Sequence, residues 1–332
     1  MSGAIHAPVT HDGLTTMAGW RHLFRDRPLV PLIGLLALLV GLIFLIKPDV
    51  ISPGWVGTTV RAAIPLAILA ACQTLTFLTG GIDLSVGAVA SMSGFVVATL
   101  VGPQGLAVAI IVALLIAALA GFLTGVGVGV FKVHPLIMSL GMSLVVLGLA
   151  NVWQLVMVQT GAGVPDLLRT LGSGTILEIV PNSLLIFVPL AIFVLLLLRR
   201  TGYGRLLYAI GDNPVAARLS GARSWQVLIA LYMLSALLAA LAGFLYAGLS
   251  NVASVTLVDS AVLPSVAAAV IGGTSIMGGR GGYGGTIVGA LILTVLTSLL
   301  SILGLPEAVR QVLFGSIIVA VAAAYTRVTG EH

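Results

Sequence analysis

The side chains of this sequence that could bind, relay or react are few, and several lie inside or between long apolar runs. Asp83 and Ser85 stand in Gly80-Gly81-Ile82-Asp83-Leu84-Ser85-Val86-Gly87, between two such runs. An aspartate at membrane depth costs about 2.5 to 3.5 kcal/mol on insertion scales, so its presence needs a reason. Two roles are open to it. It can cap, at the membrane interface, a helix that begins at Leu84, or it can belong to a helix break along a solute pathway, where irregular backbone is tolerated because it faces water or protein. Asn151 and Gln154 sit towards one end of the apolar run 136–158. Their amides either bond neighbouring helices or meet a polar solute.

Covalent chemistry finds little support. Four of the five histidines (His6, His11, His22, His332) fall near the chain ends, and His134, beside Pro135, has no second histidine at metal-ligating spacing. Cys72 is the sole cysteine, which rules out an intrachain disulfide and a cysteine metal cluster. No nucleophile, base and orienting group stand together, so a hydrolase or redox enzyme is not expected, nor is a metal or cofactor bound by this chain. Recognition and passage of a small polar solute remain.

Positioning such residues falls to membrane helices. Hydrophobic residues make up 59% of the chain and charged residues 8%, with a mean hydropathy of +1.20; ordinary soluble domains carry about 25% charged residues. Apolar runs of roughly 20 residues, the length that crosses about 30 Å of hydrocarbon, recur throughout. The expected fold is all-α and polytopic, with about ten transmembrane helices over 29–46, 62–79, 84–101, 106–131, 136–158, 182–198, 226–249, 261–277, 287–303 and 308–325. Breaks or re-entrant segments are expected near Gly80–Asp83 and Pro264–Gly273. Residues 1–28 and 328–332 would be cytoplasmic tails around one membrane domain, 29–327. Gly121, Gly125 and Gly129 place small residues on one helical face, where another helix can come close.

The longest polar connection between spans on the basic side, residues 199–225, holds five arginines and one aspartate. Basic loops stay in the cytoplasm, which orients all ten crossings with both termini inside and makes the net charge of +5 a matter of topology rather than of nucleic-acid binding. Within it, Asp212-Asn213-Pro214 reads as a helix start. Val215 to Ser220, including Ala216, Ala217 and Arg218, would be a short helix, and Gly221 would end it in a left-handed conformation. Such a loop is either a solvated linker or a surface for another protein to push on. A second glycine-dense stretch, 272–286, invites a phosphate-loop reading but lacks the terminal Gly-Lys-Ser/Thr, so glycine there serves turns and close backbone packing.

Three strings resemble one family. Gly80–Gly87, Tyr208-Ala209-Ile210-Gly211-Asp212-Asn213 with Ala216–Gly221, and the Gly-Gly-Thr and Gly-Gly-Arg-Gly of 272–281 are similar to the ribose/xylose/arabinose type of sugar permease in bacterial ABC importers. Position 215 is valine where that family often has an acidic residue. The resemblance implies a membrane subunit in the bacterial inner membrane that pairs with a second permease subunit, identical or different. A cytoplasmic ABC ATPase that consumes ATP and Mg would engage Asn213, Pro214, Ala216, Ala217, Arg218 and Gly221, and an extracytoplasmic binding protein would deliver a monosaccharide or similar solute. Autoinducer-2 importers are close relatives of that family and branched-chain amino acid permeases distant ones. A carrier or channel working alone is the alternative from another class. With Asp83 the only acidic candidate for ion coupling, energy from a partner is the expectation.

Overall fold

The computed structural model describes residues 29–157, 163–176, 179–306, 308–316 and 319. The tails expected at 1–28 and 328–332 and the end of the last apolar run lie outside the described residues. In chain order the helices are α1 (Leu29–Ile46), α2 (Pro53–Phe77), α3 (Val86–Gln104), α4 (Leu106–Gly129), α5 (Pro135–Met157), α6 (Asp166–Gly172), α7 (Leu184–Arg200), α8 (Gly202–Asp212), α9 (Pro214–Leu219), α10 (Ser224–Ser250), α11 (Val262–Ile271) and α12 (Tyr283–Ile302). Residues 308–316 are also helical. Among the described residues seven helices are long and apolar enough to cross a membrane, and α7 taken with α8, bent by 66° at their junction, makes an eighth. Helix α11 has ten residues, about 15 Å of rise and half of a hydrocarbon core.

Local chemistry explains where the elements depart from expectation. Helix α2 starts at Pro53, well before Ala62, because Ser52 accepts a bond from the Trp55 N–H (3.2 Å) and Pro53 fills the first turn. Pro264 does not interrupt α11: it lies in the first turn, where a missing N–H is harmless, and the break begins only at Gly272. The stretch before α7, expected as a loop, contains α6 and a small antiparallel hairpin, β1 (Thr175–Ile176) with β2 (Val180–Pro181).

The bundle is layered. Helices α2 and α3 are each 83% buried over their apolar windows, whereas α4 and α5 are 28% and 22% buried and turn broad apolar faces outwards, as lipid contact allows. Helix α10 runs through the centre against α2, α3 and α4, α12 packs on α2, and α1 covers α12 through Leu32, Leu39 and Ile43. Close approach of α4 to α10 depends on missing side chains: a Cβ on Gly125 would lie 2.6 Å from the Ile229 Cα, and one on Gly129 would lie 2.9 Å from the Trp225 carbonyl oxygen.

Candidate functional site

Two interrupted helix pairs meet near the Arg-rich end of the bundle. In the first, α2 ends at Phe77, Gly80 takes a φ of +75°, and α3 begins at Val86. The side chain of Asp83 lies inside this break at 2% exposure. Its Oδ1 accepts from the Ser85 N–H (3.0 Å) and Ser85 hydroxyl (2.6 Å), and its Oδ2 accepts from the Ser235 hydroxyl of α10 (2.9 Å). Its own carbonyl accepts from Gln73 Nε2 of α2 (2.8 Å). Ser139 of α5 completes the enclosure, donating to the Ile82 carbonyl (3.1 Å) and accepting from the Leu84 N–H (3.1 Å). Interfacial capping of a helix from Leu84 is therefore corrected: α3 starts two residues later, its N-cap Ser85 makes no side-chain cap bond, and Asp83 is buried among four helices. Packing of α10 and α5 over the break removes it from the surface. Gln73 Oε1 and the Tyr232 hydroxyl, both buried at this place, have no hydrogen-bond partner among the described residues.

In the second break α11 ends at Ile271, and Gly272 to Gly282 lead into α12. Its closure is mostly main chain: Thr274 N–H to Ala269 carbonyl (3.0 Å), Ser275 N–H to Arg280 carbonyl (3.0 Å). Gly273, Gly278, Gly279 and Gly281 all have positive φ, which glycine adopts without the clash other residues suffer. The breaks touch. The Gly279 N–H donates to the Leu78 carbonyl (3.0 Å), and the Thr74 and Thr286 hydroxyls bond at 2.7 Å, joining α2 to α12.

Beneath both lies the Arg-rich segment, folded as two helices rather than one. Thr201 caps α8 by accepting from the Gly204 N–H (3.1 Å), a start signal that the expected loop does not include. Asn213 caps α9, its Oδ1 accepting from the N–H groups of Val215 (3.0 Å) and Ala216 (2.9 Å), and Pro214 stands in the first turn. The end is as expected: Gly221 has a φ of +86°, and its N–H and that of Ala222 return to the carbonyls of Arg218 and Ala217. Arg218 Nε donates to the Pro214 carbonyl (3.2 Å), so its charge stays on the surface. Ala217 is buried, Ala216 exposed, and the apolar Val215 and Leu219 are 56% and 84% exposed. On α8 the Tyr208 hydroxyl donates to the Gly281 carbonyl of the second break (2.9 Å).

The expected pathway residues do not cluster. Asp83 and Ser85 are hydrogen-bonded and closed off from solvent, while Asn151 and Gln154 are exposed on the outward face of α5. Asn151 lies twelve residues beyond Ser139, about 18 Å along the helix, and donates to its own helix at Leu147 (2.8 Å). Gln73, Ser139 and Ser235 were not foreseen: each is an isolated polar residue in an apolar run, and only the fold gives it a partner. Tyr208 and Gly211 stood in a string that carries the resemblance, but their contacts with the two breaks were not foreseen.

Comparison with known proteins fits this architecture. A family model described as branched-chain amino acid transport system / permease component matches residues 56–322. The chain is 32% identical over 321 residues to a fructose import permease protein of Rhizobium meliloti, covering 94% of this chain and 89% of that one. It is 38% identical over 246 residues to a ribose import permease protein of Escherichia coli K12, covering 72% and 75% of the two chains. An autoinducer 2 import system permease protein of Escherichia coli is 32% identical over 261 residues, covering 77% and 74%. No solved structure matches the chain. With the family model spanning most of its length and sugar import permeases among its relatives, this multi-pass membrane protein belongs to the permease-component family of ABC importers, on the sugar-permease side of it.

Proposed function

We propose that the chain is the membrane-spanning subunit of a bacterial importer that passes a monosaccharide, or a polar solute of similar size, across the inner membrane by alternating access. The permease makes and breaks no bonds. Its energy comes from ATP and Mg consumed by a separate cytoplasmic ATPase docked on Asn213, Pro214, Ala216, Ala217, Arg218 and Gly221. A second permease subunit completes the translocation pathway, and an extracytoplasmic binding protein delivers the solute. The Arg-rich end is the cytoplasmic one, with both termini there.

The observation that carries this reading is the placement of α8 and α9. Helix α9 offers Val215 and Leu219 to solvent at 56% and 84% exposure, a small apolar surface suited to a protein partner, while α8 behind it abuts both helix breaks. A solvated linker has no need of either feature. Among solutes, ribose and fructose come first because the ribose import permease has the higher identity (38%) and the fructose import permease is similar over 94% of the chain; autoinducer 2 is the second reading, supported by the similarity to its import permease.

Vesicles containing the chain, its ATPase and its binding protein should accumulate labelled ribose or fructose only when ATP is supplied. Concentrative uptake by the chain alone would remove the proposal. Gly221→Leu places a side chain at a φ of +86°, which costs about 1–2 kcal/mol and unravels the end of α9; uptake should vanish while membrane insertion persists.

A further inference from the structure

We infer that Gly211 and Tyr208 form the joint through which α8 and α9 move both helix breaks as one piece. This rests on the permease reading and concerns how an ATPase-driven displacement reaches the membrane helices.

At Gly211, in the last turn of α8, three stretches of main chain come together without intervening side chains. A Cβ there would collide with the Leu78 carbonyl of the first break and would stand 2.6 Å from the Gly279 nitrogen of the second. On the other side, a Cβ on Gly278 would lie 2.8 Å from the Gly211 carbonyl oxygen, and one on Gly279 would lie 3.1 Å from the Asp212 Cα. The Gly279 N–H bond to Leu78 clasps the two breaks together directly above this point. One turn earlier the Tyr208 hydroxyl holds the Gly281 carbonyl. Side chains can yield by changing rotamer, but opposed backbones cannot; a shift of α8 towards the breaks must carry Leu78 and Gly279 with it.

The surroundings let such a shift happen. A cavity of about 570 Å³, touching Leu195, Arg199, Tyr208 and Gly282, opens on one side of the joint. Another of about 520 Å³, touching Thr79, Lys132, His134, Pro214 and Met277, opens on the other. Further in, the Asp83 bond to Ser235 anchors the far end of the first break to α10. Displacement is then absorbed in the second break at Gly273, whose positive φ and open surroundings among the described residues mark it as the pliable point.

The test uses the complete importer in vesicles and reads solute moved per ATP hydrolysed, together with co-purification of the ATPase. Tyr208→Phe, which removes one hydroxyl, should lower that ratio about fivefold with the ATPase still bound. Gly211→Ala should lower it further. Tyr203→Phe is the control, because its hydroxyl makes an equivalent bond on the same helix (3.0 Å) but to the Val227 carbonyl of α10; its ratio should stay at the wild-type value. A wild-type ratio for Tyr208→Phe, or an equal fall for Tyr203→Phe, overturns the joint even if Gly211→Ala fails to fold. Failure of the ATPase to co-purify with the unaltered chain would sink the permease reading itself, and the joint with it.

Discussion

The two helix breaks do comparable geometric work with opposite materials. Each follows an apolar helix that ends in a double glycine, Gly80-Gly81 after α2 and Gly272-Gly273 after α11, and each leads into a further apolar helix. The first is pinned by side chains from three helices, with Asp83 at the centre and Gln73, Ser139 and Ser235 around it. The second is closed by main-chain bonds, and four of its glycines have positive φ. A carboxyl buried among hydroxyl and amide donors tolerates little movement, since each lost bond leaves a desolvated polar group. The glycines of the second break can share a rotation among themselves while its main-chain bonds persist. One break is thus an anchor and the other a spring, and the contrast predicts which substitutions each will bear.

The largest effect is expected at the anchor. Asp83→Ala leaves the Ser85 N–H, the Ser85 hydroxyl and the Ser235 hydroxyl without their acceptor, a loss of roughly 3 kcal/mol. Thermal unfolding in detergent should register it as a clear fall in Tm. Asp83→Asn keeps one acceptor oxygen and should lose less than half as much. If the two variants melt together near wild type, the first break is not held by this side chain. Next in size is a substitution where the second pair of helices touches: a Cβ on Gly285 would collide with the Gly272 carbonyl, backbone against backbone. Gly285→Ala should cost about 2 kcal/mol, read by the same melt. A neutral outcome would mean that α11 and α12 can part freely, and that the second break is looser than a spring.

How much of this could be seen in the sequence follows from the range of each interaction. Spans and caps were legible because apolar length and local bonds decide them: Asn213, Pro214 and Gly221 act within nine residues of chain to make and end α9. The break at Gly80–Asp83 was legible too, because two glycines and an aspartate cannot continue an apolar helix. Its burial was not, since the Ser235 partner of Asp83 lies 152 residues away. The role of Gly211 left no trace, because the signal is the absence of a side chain at a contact between segments distant in sequence. The start of α2 is written in Ser52-Pro53, a cap and a first-turn proline, rather than in hydropathy, which rises only later along the helix.

The smallest effects give the finest comparison, in a matched pair of glycines. Gly80 and Gly273 have φ of +75° and +86°; among the described residues nothing lies within 4 Å of a Cβ built on Gly273, and on Gly80 the nearest atom is the Met277 carbonyl oxygen at 3.4 Å. Substitution by alanine therefore imposes backbone strain at both positions, about 1–2 kcal/mol if nothing relaxes. Around Gly273 the chain is held by backbone bonds that can share a rotation among Gly278, Gly279 and Gly281, so Gly273→Ala should fall at about 1 kcal/mol or below. Around Gly80 the following residues are fixed by Asp83, Ser85 and Ser139, so Gly80→Ala should stay near about 2 kcal/mol. Combining each with Ser235→Ala sharpens the point: loosening the anchor should bring the cost of Gly80→Ala down towards that of Gly273→Ala and leave the latter unchanged. Equal melting shifts for the two single variants, or no coupling to Ser235, would mean that both breaks are equally stiff and that the bonds around Asp83 do not set the difference.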